Sequence, residues 1–171
     1  MGGTSLTGVI RRLRPADIAP VSDIFGWYAQ HTVVTFEESP RPRQEWAGLS
    51  VLLEDLGLPF LVAELDGSVA GYAYAGPWRR KPAYRYTVED SVLVAPGLTG
   101  RGIGRQLLGD LLAACGAAGA RQMIAVIADT GDPASAGLHS AFGFGEAGRL
   151  KAVGYKHGRW VDTVLMQRAV S

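Results

Sequence analysis

A glycine-rich stretch between a predicted strand and a predicted helix is the part of the sequence best suited to bind a charged ligand. Residues 91–104 read SVLVAPGLTGRGIG, in which apolar residues lead into four glycines. Glycine leaves the backbone bare, and free N–H groups at the start of a helix attract anions. Arg101 and Arg105 can each form forked hydrogen bonds with phosphate. The stretch predicts a pyrophosphate site, unless it is only a tight turn that binds nothing.

Two common nucleotide-binding motifs do not fit this stretch. A Rossmann fingerprint requires G-x-G-x-x-G, but the sixth residue is Leu107 when counted from Gly102 and Arg105 when counted from Gly100. A Walker loop requires a lysine directly after its last glycine, and no lysine occurs between positions 81 and 151. Both motifs are therefore excluded.

The elements that must position this stretch form a mixed series of strands and helices. Asp17 can cap the first helix, and Asp66-Gly67 predicts a tight hairpin turn because both residues tolerate positive φ. The order predicts an α/β fold with a mixed sheet and helices on its faces. We expect a loose tail over residues 1–8 and one domain over 9–171. The predicted strands are 9–14, the two strands of the hairpin 60–76, 83–94, 123–128, 145–153 and 161–169, and the predicted helices are 17–31, 43–56, 102–118 and 132–142.

Composition narrows the class of partner. The net charge is +1 with 19% charged residues, so neither nucleic acid nor a membrane surface is an expected partner. No apolar run approaches the roughly 20 residues of a membrane span, and the N-terminus lacks a secretory pattern, so a cytoplasmic protein is expected. The single cysteine, Cys115, falls in an apolar helix pattern, which favours a buried, inert thiol. No metal is expected to take part.

Several motifs resemble one acetyltransferase family. TGRGIG after SVLVAP resembles the pyrophosphate loop of the GNAT superfamily, whose pattern is Gln/Arg-x-x-Gly-x-Gly/Ala, although Thr99 departs from it at the first position. GYAYAGPW, AYRYTVEDSV, LHSAFGF and GYKHGRWVD are similar to the phosphinothricin and methionine sulfoximine acetyltransferase branch, in the same order along the chain. The resemblance implies a GNAT fold, with a central, mostly antiparallel twisted sheet and helices on both faces.

The resemblance also implies an activity and a cosubstrate. It implies that acetyl-CoA gives its acetyl group to the α-amine of a small amino-acid analogue, which attacks the thioester directly. The pyrophosphate of acetyl-CoA would lie on Thr99, Gly100, Arg101, Gly102, Ile103, Gly104 and Arg105, with further cofactor contacts from Asp132 and Ser135. Capping of a helix would also explain Asp132 fully.

Three catalytic roles follow from the same resemblance. An α-amine with a pKa near 8 is mostly protonated at pH 7, and Glu89 is the base that would remove its proton. The strand Val92, Leu93 and Val94 would pair with the pantetheine arm and offer a backbone N–H to the developing oxyanion. His139 would protonate the leaving thiolate. Taken without the resemblance, Glu89 reads as an exposed strand carboxylate and His139 as a helix residue with local hydrogen bonds.

Candidate residues for the amine substrate lie before Glu89. Arg79 and Arg85 offer forks for a carboxylate or phosphinate. Period-two counting puts Arg85, like Thr87, on the side of Glu89, so Arg85 is the preferred group. Tyr84 and Phe36 would form apolar walls. Trp160, in GYKHGRWVD, would pack at a contact between the subunits of a homodimer, as is usual in the resembled proteins, or else in the core.

Two other functions stay open at this point. A non-catalytic acyl-CoA-binding module would keep the loop without turnover, and the departures at Thr99 and Asp132 motivate it. An acetyltransferase for peptide or aminoglycoside amines would share the chemistry, although the sequence shows no acidic cleft for polycations.

Overall fold

The computed structural model describes residues 8–170, so the expected tail lies outside the described part except for Gly8. Within that range the chain forms seven strands and four helices. No helix in it is long and apolar enough to span a bilayer. The strands are β1 (Val9–Arg12), β2 (Phe60–Leu65), β3 (Ser68–Pro77), β4 (Thr87–Val94), β5 (Gln122–Ala128), β6 (Gly145–Lys156) and β7 (Arg159–Ala169), and the helices are α1 (Ile18–His31), α2 (Arg43–Asp55), α3 (Ile103–Ala117) and α4 (Ala134–Ala141).

The strands form one sheet in the order β1-β2-β3-β4-β5-β7-β6. Neighbouring strands are antiparallel except for β4 and β5, which are parallel and joined through α3. A parallel pair needs such a crossover, whereas the other connections can be short. The predicted mixed, mostly antiparallel sheet is therefore confirmed.

Helices cover both faces of the sheet. On one face, α1 and α2 enclose an aromatic cluster around the fully buried Trp46, with Phe25, Phe60 and Tyr72. On the other face, Leu107, Leu108 and Leu111 of α3 form a second core with residues of β3, β4 and β5, and α4 packs against it. The residues of β4 thus alternate between the two cores.

Positive φ angles occur at the hairpin turn that the sequence predicts and just after the end of α2. Asp66 and Gly67 have φ values of 50° and 77°, which gives the tight hairpin between β2 and β3. Gly57, with φ at 67°, follows the end of α2.

The strand predicted over 83–94 is shorter than expected. Pro82–Tyr84 form a single 3-10 turn, in which Tyr84 N–H donates to Lys81 C=O and Arg85 N–H donates to Pro82 C=O. These amides are used locally and cannot join the sheet, so β4 begins only at Thr87.

The predicted side-chain cap at Asp17 is wrong. Its carboxylate makes no cap hydrogen bond to α1. It instead accepts two hydrogen bonds from the Arg11 guanidinium, at 2.7 and 2.9 Å, and one from Arg14 N–H at 2.6 Å. A forked, charged partner on β1 outcompetes the amides of the helix, and Asp17 ties β1 to the start of α1.

Candidate active site

Strands β4 and β5 lie side by side only at their beginnings. Their ladder ends at the pair Glu89↔Ile124, whereas β4 continues to pair with β3 and β5 with β7 up to their last residues. The two strands therefore separate after Glu89. We call the space between Asp90–Val94 and Ala125–Ala128 the β4–β5 gap.

The backbone of β4 alternates between β3 and this gap. Trp78 N–H donates to Thr87 C=O, and the regular antiparallel register then assigns the odd-numbered β4 residues to bonds with β3. The N–H and C=O groups of Val92 and Val94 point into the gap instead. Of the predicted strand 92–94, Leu93 is bonded to β3, so its amide is not available to a ligand.

Tyr28 of α1 occupies one of these gap-facing groups. Its hydroxyl donates to Val94 C=O at 2.8 Å. Burial raises the pKa of Tyr28, so the phenol stays protonated and remains a donor. Among the β4 residues that follow Asp90, Val92 is then the one whose N–H and C=O both face the gap without such a partner. No local pattern indicates this role of Tyr28, because the residue fits the apolar face of its helix.

The glycine loop leads from the gap into α3. Gly97, Gly100 and Gly102 all have positive φ, between 76° and 87°, which glycine adopts without strain. Gly102 is the N-cap of α3 without a side-chain cap, and the first bond of the helix runs from Gln106 N–H to Gly102 C=O. The N–H groups of residues 103–105 consequently have no partner within the helix. This arrangement is the bare, electropositive helix start that the sequence predicted.

The side chains of this loop serve different purposes. Ile103 is buried, so only its backbone faces the loop. Arg101 and Thr99 are exposed beside it. Arg105 lies with its Cζ 5.2 Å from the centre of the Phe142 ring. A Cβ at Gly104 would lie 3.5 Å from Leu138 and 3.6 Å from Val94, so this glycine packs where α3, α4 and β4 meet.

Glu89 lies at the beginning of the gap, on the face covered by α1 and α2. It is half-buried, and burial together with the nearby Asp90 raises its pKa, while the charge of Arg79 opposes the shift. A carboxyl group whose pKa is raised towards neutrality is better matched to take a proton at physiological pH. Glu89 therefore has the position and the electrostatics of a general base.

His139 lies on the opposite face of the sheet and is almost completely buried. Its Nδ1 is 2.8 Å from Ser135 C=O, and its Nε2 is 2.7 Å from Asp90 Oδ2. Burial alone would lower the pKa of His139, but Asp90 and the Ser135 carbonyl together raise it above its ordinary value. His139 is thus hydrogen-bonded beyond its own helix. Strand alternation points Asp90 away from Glu89, its neighbour in sequence, and brings it to His139.

The start of α4 is held by Asp132. Its Oδ1 accepts a hydrogen bond at 2.9 Å from the N–H of Ala134, the first residue of α4, although the N-cap of α4 is Pro133 and not Asp132 as the sequence suggested. Asp132 and Ser135 are both exposed. Ser135 takes part in the site through its backbone carbonyl, which faces His139.

The predicted substrate residues do not all converge. Thr87 shares the face of Glu89 by strand alternation, and the positive charge of Arg79 lowers the pKa of Glu89. The period-two count fails for Arg85, because it lies in the turn before β4, donates to Pro82 C=O and stacks over Tyr86. The remaining two, Tyr84 and Phe36, are exposed aromatic residues on separate loops.

Lys156 was missed by the sequence analysis. It is buried, and its Nζ donates to Thr35 C=O at 2.8 Å and to Glu37 C=O at 2.6 Å. The loop between α1 and α2 that carries Phe36 is thereby fixed to β6, where a Cβ at Gly154 would overlap the Phe36 ring. The predicted strands end at residue 153 and resume at 161, so Lys156 falls between them and no local pattern indicates this role.

Known proteins share this architecture. The model of the acetyltransferase (GNAT) family matches residues 21–144. A phosphinothricin N-acetyltransferase of Alcaligenes faecalis is 46% identical over 95% of this chain and 82% of its own length. An L-methionine sulfoximine/L-methionine sulfone acetyltransferase of Salmonella typhimurium is 36% identical over 92% of both chains. The crystal structure of a phosphinothricin acetyltransferase from Sinorhizobium meliloti in complex with AcCoA superimposes with a TM-score of 0.91, at 43% identity, over 95% of this chain and 88% of that one. The chain therefore belongs to the acetyltransferase (GNAT) family.

Proposed function

We propose that this protein transfers the acetyl group of acetyl-CoA to the α-amine of a small amino-acid analogue of the phosphinothricin or methionine sulfoximine type. The observation that carries the proposal is the β4–β5 gap, which begins at Glu89 and leads into the glycine loop at the start of α3. The named relatives, which act on such compounds, support the substrate class.

The gap and the loop fit acetyl-CoA chemically. Asp129 N–H donates to Asp162 C=O, and the register of β5 with β7 then leaves the backbone groups of Val126 and Ala128 facing the gap. An extended pantetheine arm carries amides that can pair with such strand edges. Its pyrophosphate would meet the free amides of residues 103–105 and the exposed Arg101. The loop residues proposed for the cofactor are those expected from the sequence, with Gly100 and Gly102 supplying the turn.

Glu89 acts as the base in this proposal. The amine arrives as an ammonium ion and must lose a proton before it can attack the thioester carbonyl. Glu89 takes that proton, directly or through a water molecule, and Val92 N–H stabilises the oxyanion that forms on the carbonyl oxygen. His139, on the other face of the sheet, supplies the proton for the leaving thiolate.

Arg79 is our preferred group for the acidic part of the substrate. In an amino acid the carboxylate is attached to the carbon that bears the amine, so its receptor must lie close to the base. Arg79 and Arg85 each donate to a neighbouring carbonyl and lie over a neighbouring aromatic ring, and of the two Arg79 is the one whose charge lowers the pKa of Glu89. Thr87, Tyr84 and Phe36 are proposed as further walls of the amine site.

We also propose a homodimer. The hairpin of β6 and β7 exposes Trp160 by 67% and Tyr155 by 58%, with the two rings 5.0 Å apart. An exposed aromatic pair of this kind is typical of an interface between proteins.

An amine panel tests the function. Wild-type enzyme, acetyl-CoA and one amine are incubated, and release of the CoA thiol is measured. Phosphinothricin and methionine sulfoximine should support release, whereas their N-acetylated forms should not. Tight CoA binding without release for any amine would favour a non-catalytic module, and release only with aminoglycosides would move the substrate to another class.

A further inference from the structure

A buried ion pair lies beside the β4–β5 gap on the side opposite to Glu89. Asp90 and His139 have side chains that are 2% and 6% exposed, and their Oδ2 and Nε2 atoms are 2.7 Å apart. Asp90 is the first β4 residue beyond the last β4–β5 pair, so the ion pair lies where the gap opens.

The hydrogen-bond partners of the His139 ring determine how many protons the ring carries. Ser135 C=O can only accept, so the Nδ1 that faces it at 2.8 Å carries a proton. At 2.7 Å, Nε2 and Asp90 Oδ2 must also have a proton between them, because two lone pairs at that distance would repel. The ordinary pKa values of histidine and aspartate, about 6.5 and 3.9, favour the nitrogen as its owner.

The surroundings leave Asp90 as the one charged partner of the ring among the described residues packed around it. Glu89 points to the other face of the sheet, and the Cys115 thiol of α3 stays neutral because burial and Asp90 raise its pKa to about 12. Phe144 packs edge-on against the ring at 5.0 Å. Asp90 Oδ1, also buried, has no hydrogen-bond partner within the described chain.

We propose that Asp90 is a positioning residue for the proposed acetyl transfer, and that it keeps His139 as an imidazolium whose proton is stored beside the gap. When the thioester C–S bond breaks, its electron pair stays on sulfur, and the stored proton forms the S–H bond. The neutral imidazole keeps its Nδ1–H on Ser135 C=O and leaves the Nε2 lone pair opposite Asp90 Oδ2, a repulsive contact that a proton from water removes by restoring the imidazolium. Asp90→Asn keeps the shape of the side chain, and its amide can donate a hydrogen bond to Nε2. It removes the negative charge that stabilises the second proton on the imidazole ring.

The protonation state can be measured without turnover. In protein with ¹⁵N-labelled histidine, both ring nitrogens of His139 should be protonated at pH 7, with the signal assigned through its loss in His139→Gln. In Asp90→Asn the titration midpoint should fall by about 1 to 3 pH units. The exposed His31 and His157 are internal controls that should not move. A neutral His139 ring at pH 7 in the wild type, or an unchanged midpoint in Asp90→Asn, overturns the proposal, and the wild-type titration decides even if the variant folds poorly.

A double-mutant cycle tests the link to catalysis, which rests on the proposed function. Asp90→Asn should lower kcat most on the alkaline side of the pH profile and leave KM for acetyl-CoA unchanged. In the His139→Gln background it should cause no further loss. An equal loss in both backgrounds would contradict action through His139. If the wild-type protein acetylated no amine, the proposed function would be contradicted, whereas the protonation state of His139 measured by NMR would be unaffected.

Discussion

Glu89 carries the sharpest residue-scale prediction. Glu89→Gln keeps the size of the side chain but removes the proposed base, so kcat/KM should fall by about 10²- to 10⁴-fold. In the wild type the rate should decline as the pH falls through the pKa of Glu89. Because that pKa is raised, the decline should occur at a pH above the ordinary carboxyl value of 4.5. In the variant this decline should disappear, which leaves the ionisation of the amine and, on the alkaline side, that of His139 to shape the profile.

Glu54→Gln is the matched control for this variant. Glu54 is exposed on α2 and has no role in the site, so its replacement should leave both the rate and the pH profile unchanged. If Glu89→Gln retained wild-type kcat/KM across the profile, Glu89 would not be the base.

Cys115 should be chemically silent in the folded protein. It is fully buried, and burial, reinforced by Asp90, raises its pKa to about 12. At pH 8 only about one thiol in 10⁴ would then be a thiolate, the form that reacts. Iodoacetamide should leave the native protein unmodified and label it once after denaturation, as read by mass spectrometry. Rapid labelling of the native protein would show that this core opens.

The loop before α3 gives a prediction at the scale of elements. Gly100→Ala places a side chain at φ 76°, in the open space that faces the proposed phosphates. We expect weaker CoA binding by roughly tenfold, measured by calorimetry, because the methyl group keeps the phosphate from the backbone. Gly158→Ala is the control, since it has the same strain at φ 73° and equally open surroundings in the turn between β6 and β7. Equal CoA affinities in the two variants would remove the loop from the binding site.

The link between β1 and α1 should show in stability. Asp17→Asn should lower the free energy of unfolding by about 2 kcal/mol at pH 7, because charged hydrogen bonds from Arg11 are lost. Arg11 lowers the pKa of Asp17 in the folded state, so this contribution is present above the ordinary value of 3.8 and is lost as the pH falls through the folded value. Urea titrations of both proteins should therefore converge at low pH. A constant difference down to pH 2 would contradict the assignment.

At the scale of the whole molecule, the exposed hairpin predicts the assembly. Trp160→Ser should shift the protein from dimer towards monomer in size-exclusion chromatography with light scattering. Trp27→Ser, which changes an exposed tryptophan on α1, should leave the mass unchanged. A wild-type protein that is already monomeric at high concentration would refute the proposed dimer.

Much of this molecule could be predicted from local patterns, and the remainder depends on pairings distant in sequence. Asp66-Gly67 and the glycines before α3 predict turns from their residue types alone, because a positive φ favours these residues whatever the rest of the chain does. The pairing of Asp90 with His139, 49 residues apart, and the clamp from Lys156 to Thr35 depend on how the sheet is assembled. The prediction for Arg85 fails for a local reason, because Pro82 begins a 3-10 turn that delays the start of β4 to Thr87, so strand alternation does not extend to Arg85.

Acetylation of phosphinothricin tests the central claim most directly. Purified wild-type protein, acetyl-CoA and phosphinothricin should release the CoA thiol and yield N-acetylphosphinothricin, identified by mass spectrometry, and Glu89→Gln should release it at least about 100-fold more slowly. If the wild type released thiol no faster than the uncatalysed mixture, with this amine and with methionine sulfoximine alike, the proposed transfer to the α-amine would be contradicted.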